Sequence, residues 1–196
     1  SSVDGFIFNS ETTRAAVGAV SGKTKPAIVA HPGGDRIQLD LTSDQILSRA
    51  RQPGPLRILF IGSLIPRKGL HILLDGLSRI PRDAWHLDVV GSLEVDPAYA
   101  HTVRRQVTEM GLTEQVAFSG PLKDFELTLR LRQSHLFCVP SSYEGFGIVY
   151  LEGMAAGLPA IASESGAAGE IITHGRNGFL VPPDDAVALA RHVDSL

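Results

Sequence analysis

From residue 56 onward, short β-type runs alternate with helical patterns, and this rhythm constrains the fold more than any other feature of the chain. The runs are LRILFI (56–61), WHLDVV (85–90), QVAF (115–118), LFCV (136–139), LPAIA (158–162) and GFLV (178–181). They are almost continuously apolar, as expected of strands covered on both faces; a half-exposed sheet would alternate. Between them, Leu70, Leu73, Leu74 and Leu77 fall at the i, i+3, i+4, i+7 spacing of an amphipathic helix. Tyr99, Val103, Val107 and Met110 mark a second helix, with Gly111 placed to end it. Further helices are expected from about Asp124 to Gln133, from Gly147 to Ala156, and over DAVALARHVDSL (185–196). The pattern predicts an α/β fold: a doubly wound, Rossmann-like parallel sheet of about six strands.

The first 55 residues stand outside that rhythm. DGFIFNS reads as a strand, SETTRAAVGAV as a short helix, and KPAIVAHPGGD as a strand with a turn. TSDQILSRARQPGP (42–55) reads as a polar linker. The final helical pattern stops without a cap, so the chain is expected to be cut at both ends.

Charge and cysteine usage exclude several functions. With 18 Lys and Arg against 21 Asp and Glu, the net charge is −3 and the basic residues are scattered, which is not a nucleic-acid footprint. Cys138 is the single cysteine, so no disulfide framework exists and a reducing, cytoplasmic setting is expected. No apolar run approaches the ~18 residues of a membrane span. The opening SSVDGF lacks the pattern of a signal peptide. The histidines show no metal-ligand spacing, and Asp184–Asp185 reads as helix N-capping. No P-loop, Gly-x-Ser-x-Gly elbow or Cys-x-x-Cys is present, and Ser63-Leu64-Ile65 after Gly62 breaks any dinucleotide fingerprint.

Doubly wound sheets bind ligands at the carboxyl ends of their strands, so the turns there are the candidate sites. In IGSLIPRKG (61–69), Arg67 and Lys68 stand just before a helix, where its dipole disfavours cations unless an anion sits nearby. They read either as solvated loop residues or as ligands of that anion. In PSSYEGFG (140–147), Glu144 precedes a helix whose first N–H groups, near Gly147 and Ile148, form an anion site. Ser141 and Glu144 also match capping-box spacing, although Gly145 and Gly147 argue against so early a start. Glu152 lies within that helix beside Ile148, Val149, Ala155 and Ala156. If buried, its carboxylate needs a hydrogen-bonding partner, which either a ribose diol or a basic side chain could supply. SESGAAGE (163–170), a glycine-rich strand-to-helix junction, and FSGPLKD (118–124), a further strand-end turn, are weaker signals.

Taken together, Glu144-Gly-Phe-Gly-x4-Glu152, with PS before it and AAGLPAIAS after it, closely resembles the E-x7-E motif of retaining glycosyltransferases of family 4, which have the GT-B fold. FIGSLIPRKG, FSGPL, SESGAAGE and GRNGFLVPPDD follow in the order of that family, and the resemblance covers residues 56–196. It extends to residues 1–55, where DGFIFNSETTR and HPGGD look like the tail of the acceptor-side domain and the crossover into the donor side. The resemblance implies that Glu144 holds donor-sugar hydroxyls with the N–H groups of Phe146 and Gly147, and that Gly145 belongs to the same loop. It implies that Glu152 holds the ribose diol, that Lys68 and the helix start at Ile148 neutralise the diphosphate, and that the turn at Leu122 faces the base. Glu144 and Lys68 would be the catalytic pair. Ser63 stands where the family commonly has Arg, and Arg67 is the alternative source of that charge.

The expected activity is transfer of a sugar from a nucleoside-diphosphate sugar to an acceptor hydroxyl, with retention and without metal or other cofactor. The partners expected are the donor, an unidentified acceptor and an N-terminal domain absent from this sequence, which would also be the route to any membrane surface. Two rivals stand: a nucleotide-sugar epimerase of related fold, and a non-catalytic nucleotide-sugar-binding module. An epimerase would need histidine and carboxylate acid–base groups in the cleft, which E-x7-E does not supply.

Overall fold

A computed structural model describes residues 3–21, 25–34, 37 and 39–196 of the protein. Asp35, the last residue of the HPGGD turn expected from sequence, lies outside these. The elements in chain order are β1 (Phe6–Phe8), α1 (Glu11–Ser21), β2 (Ala27–Val29), α2 (Ser43–Ala50), β3 (Leu56–Ile61), α3 (Leu70–Leu77), β4 (Trp85–Val90), α4 (Pro97–Glu109), β5 (Val116–Gly120), α5 (Asp124–Gln133), β6 (Leu136–Val139), α6 (Ile148–Ala155), β7 (Ala160–Ser163), β8 (Gly178–Val181) and α7 (Ala186–Asp194).

The six apolar runs pair in parallel into one sheet of order β5-β4-β3-β6-β7-β8. The chain builds outward from β3 to β5, then returns to the other side of β3 and builds outward again. Right-handed crossovers therefore send α3 and α4 to one face and α5 and α6 to the other. The Leu70, Leu73, Leu74 and Leu77 stripe is fully buried, and α3 packs against α4 and α7. Trp85, Phe60 and Phe137 fill the core around the central strands, as does Tyr150 of α6. Among the described residues, no helix is long and apolar enough to cross a membrane.

Two local expectations need correction. Part of the expected polar linker is the helix α2, closed by a capping box in which Thr42 accepts the Gln45 N–H and Gln45 accepts the Thr42 N–H. SESGAAGE leads into a short 3-10 turn, Ala167–Glu170, instead of an α-helix. The N-terminal strands form a separate two-stranded parallel sheet, β1 with β2.

Candidate functional site

The topology places one crevice above all others. Strand order reverses between β3 and β6, and ligands of doubly wound sheets bind at such a switch point, beyond the carboxyl ends of the strands. The turn after β3 carries Ser63, Arg67 and Lys68, and the turn after β6 carries Glu144 to Gly147. These two turns are locked together. Gly69 has φ 72°, and any Cβ there would sit 2.1 Å from the Pro140 carbonyl oxygen, so only glycine permits the approach. The Ser142 N–H donates to the Arg67 carbonyl at 2.8 Å.

Locking the turns brings the two predicted catalytic residues into contact. Lys68 Nζ lies 2.6 Å from Glu144 Oε2, with the side chains only 12% and 13% exposed. The Lys68 stem runs beside Gly62, at 3.4 Å from where a Cβ would be. Ser141 Oγ donates to the same Glu144 oxygen at 3.3 Å. The Ser141–Glu144 spacing is therefore used, but not as a capping box, because α6 begins seven residues beyond Ser141 with Gly147 as its N-cap. Arg67 is at the rim: its Nη1 donates to the Tyr143 carbonyl at 2.8 Å and stands 3.8 Å from Glu144.

A third turn supports this pair from behind. The Ala167 N–H, after β7, donates to the Glu144 carbonyl at 2.8 Å. Gly166 has φ 79°, and a Cβ there would lie 2.3 Å from the same carbonyl oxygen. Phe146 is buried and stacks on His31 with ring centroids 5.2 Å apart.

Helix α6 then leads away from the crevice. Tyr150 fixes its first turn to the sheet by donating its hydroxyl to the Val139 carbonyl at 2.8 Å. The opening N–H groups of the helix, at Ile148 and Val149, have no intrahelical acceptor and carry the positive end of its dipole. Glu152, one turn on, is 2% exposed and is not without a partner. The arrangement offers a lysine and a helix N-terminus for an anion, beside the Glu144 carboxylate.

Nine of the ten sequence-predicted site residues therefore belong to the β3 turn, the β6 turn or α6. Leu122 does not join them. It is half-buried against the core, on the same rim but beyond β5, two strands from β3. At the opposite rim, Arg49, Trp85 and His135 line a cavity of about 400 Å³ at the amino ends of the strands. The candidate site is at the carboxyl rim, because the charged constellation and the switch point coincide there.

Sequence reasoning missed the contribution of the N-terminal unit. Thr13 Oγ1 donates to the Gly145 carbonyl at 3.1 Å, across 132 positions of sequence, and no local pattern announces such a contact.

Comparison with known proteins gives a consistent picture. The family described as Glycosyl transferases group 1 matches residues 44–196. The chain is similar to mannosylfructose-phosphate synthase of Agrobacterium fabrum, 33% identical over 152 residues, covering 74% of this chain and 33% of that protein. It is similar to phosphatidyl-myo-inositol mannosyltransferase of Mycobacterium leprae, 36% identical over 135 residues, covering 68% of this chain and 35% of that protein. Among solved structures, Anabaena HepE in complex with UDP and glucose superposes with a TM-score of 0.83 at 27% identity, over 96% of this chain and 52% of that one. The chain thus spans about a third of the length of the curated relatives it matches.

Proposed function

This chain belongs to the group 1 glycosyl transferases, and from that membership and the crevice geometry we propose that it is the donor half of a retaining, metal-independent glycosyltransferase. The observation that carries the proposal is the meeting of Lys68, Glu144 and the amino end of α6 at the switch point between β3 and β6. The HepE structure with UDP and glucose supports a nucleoside-diphosphate sugar as the ligand class.

In this reading the diphosphate lies between Lys68 Nζ and the first N–H groups of α6, with Arg67 as a further cation at the rim. Ser63 stands in the same turn, where the family resemblance implies arginine. Glu144, with the N–H groups of Phe146 and Gly147 in the Gly145 loop, accepts and donates to sugar hydroxyls. Glu152 receives the ribose diol from the first turns of α6, and Leu122 marks the base side of the rim. Breaking the anomeric bond moves negative charge onto the departing diphosphate. Lys68 and preoriented backbone N–H groups stabilise that charge, and such stabilisation is usually the largest catalytic term. The acceptor hydroxyl attacks from the leaving-group face and passes its proton to the departing phosphate, giving retention.

In this proposal residues 1–55 are the tail of an acceptor-side domain and the crossover linker into the donor half. Parallel sheets are normally covered on both faces. Here β1 and β2 leave the paired Ile7 and Ile28 74% and 61% exposed on one face, which supports a covering layer from the rest of such a domain. Transfer then depends on that domain, since positioning two reactants supplies about 7–11 kcal/mol of a barrier.

The test is calorimetric titration with UDP, GDP and their nucleosides. Lys68→Ala should cost about 1.5–3 kcal/mol for the diphosphate the protein binds, the range for a hydrogen bond to a charged group. The matching nucleoside should be almost unaffected. Equal losses for diphosphate and nucleoside would overturn the placement.

A further inference from the structure

Glu170 closes the 3-10 turn after β7, and its side chain takes no part in the donor contacts proposed above. Its carboxylate instead reaches the start of α1. Oε2 accepts the Glu11 N–H at 3.0 Å, while Oε1 accepts the Thr12 N–H at 2.8 Å and the Thr12 hydroxyl at 2.6 Å. These amides have no acceptor inside the helix, and a carboxylate there also meets the positive end of the helix dipole. Burial pushes the Glu170 pKa up, but the bonds from Thr12 and Glu11 outweigh it and hold the group below the usual carboxylate range. The ionised form is the one the helix grips.

The same N-terminal unit touches the loop between β6 and α6. Thr13, in the first turn of α1, donates to the Gly145 carbonyl at 3.1 Å, and His31, just past β2, stacks on Phe146. From the other side, the turn that ends in Glu170 donates the Ala167 N–H to the Glu144 carbonyl. Residues 144–146 are therefore held between the β7 turn and the α1–β2 unit. Helix α1 has no buried residue, so apolar packing does little to fix it. The Glu170 carboxylate is a charged link between the two sides.

We propose that Glu170 is a positioning residue for donor recognition: by pinning the amino end of α1 to the β7 turn, it sets the 144–147 loop against the sugar end of a nucleotide sugar. The sugar arm rests on the donor-site reading above; the pinning itself does not. The Glu170 carboxylate is taken up by Glu11 and Thr12 and stands outside the proposed donor contacts, so the bare diphosphate should not sense it.

The test compares the 196-residue chain with its Glu170→Ala, Glu170→Gln and Thr12→Val variants. Amide exchange without ligand reads the pinning. Titration with UDP, UDP-glucose, GDP and GDP-mannose reads recognition. In Glu170→Ala, exchange should rise on the order of tenfold at residues 11–13 and, with them, at 144–147. The affinity ratio of nucleotide sugar to nucleoside diphosphate should fall about fivefold or more, with the diphosphate alone changed by less than about twofold. Glu170→Gln retains one acceptor oxygen and should fall between. Thr12→Val removes a single hydroxyl at nearly constant volume, so it should show the same pattern at smaller size even if the alanine variant unfolds. Faster exchange confined to residues 11–13, or equal losses for sugar and diphosphate, would overturn the proposal. If the wild-type chain binds none of the four ligands, the donor-site reading fails and the exchange arm alone decides the pinning.

Discussion

Glu144 and Lys68 pair at 2.6 Å in the crevice, and that pairing bears on what each can do for a donor. Both side chains are largely withdrawn from water, where removing one partner of an ion pair leaves the other uncompensated. A diphosphate arriving at Lys68 would take over the lysine's charge, leaving Glu144 and Ser141 to the sugar. Glu144→Gln removes the competing anion while preserving shape. It should therefore leave the affinity for UDP or GDP equal or higher, while the extra affinity contributed by the sugar falls by about 1.5–3 kcal/mol. Paired titrations with a nucleoside diphosphate and its sugar check this. Parallel losses for both ligands would show that Glu144 serves the fold and not the sugar. The contact itself was out of reach of the sequence. E-x7-E marks Glu144 and the PRKG turn marks Lys68, but 76 positions separate them, and only the packing of Gly69 onto Pro140 turns two motifs into one pair.

Among the elements, α2 shows where sequence reading failed and why. Its residues SDQILSRA are mostly polar, and Pro53-Gly54-Pro55 follows closely, so composition reads as linker. Its worth lies in one long-range side chain. Arg49 is buried, and its guanidinium donates to the carbonyls of Ala156 at 2.7 Å and Gly157 at 3.3 Å, past the end of α6. It also reaches Arg132 at 3.4 Å and Leu131 at 3.5 Å, in the last turn of α5. One arginine thus caps two helices whose final carbonyls lack intrahelical donors. Arg49→Ala should destabilise the protein by about 1–3 kcal/mol, the cost of leaving buried acceptors unmet. Urea denaturation reads the loss, and a change below about 0.5 kcal/mol, as at an ordinary surface site, would contradict the capping role. Elements whose signal is a local residue pattern were legible. The strands β3, β4, β6 and β8 and the helix α5 fall where apolar runs and periodicity put them. The Thr42–Gln45 capping box was present too, but it carries little weight without an apolar stripe behind it.

At the scale of the whole molecule, the sheet order explains why these residues meet. Reversal between β3 and β6 opens the sheet at its carboxyl rim, and the turns after β3, β6 and β7 all converge there. That the sheet is parallel was readable from the alternation of strand and helix, and with it the rim on which to search; the order of the strands was not. The seat of the N-terminal unit was not, because Glu170 and Thr13 meet partners more than a hundred positions away. The central claim is that this crevice holds a nucleotide sugar, and a crystal structure of the chain with UDP-glucose or GDP-mannose tests it most directly. The account predicts diphosphate oxygens within hydrogen-bonding distance of Lys68 Nζ and the first N–H groups of α6, the ribose against Glu152, and the sugar against Glu144. Ligand bound at the amino rim beside Arg49, Trp85 and His135, with Lys68 and Glu144 still paired and the crevice empty, would contradict it.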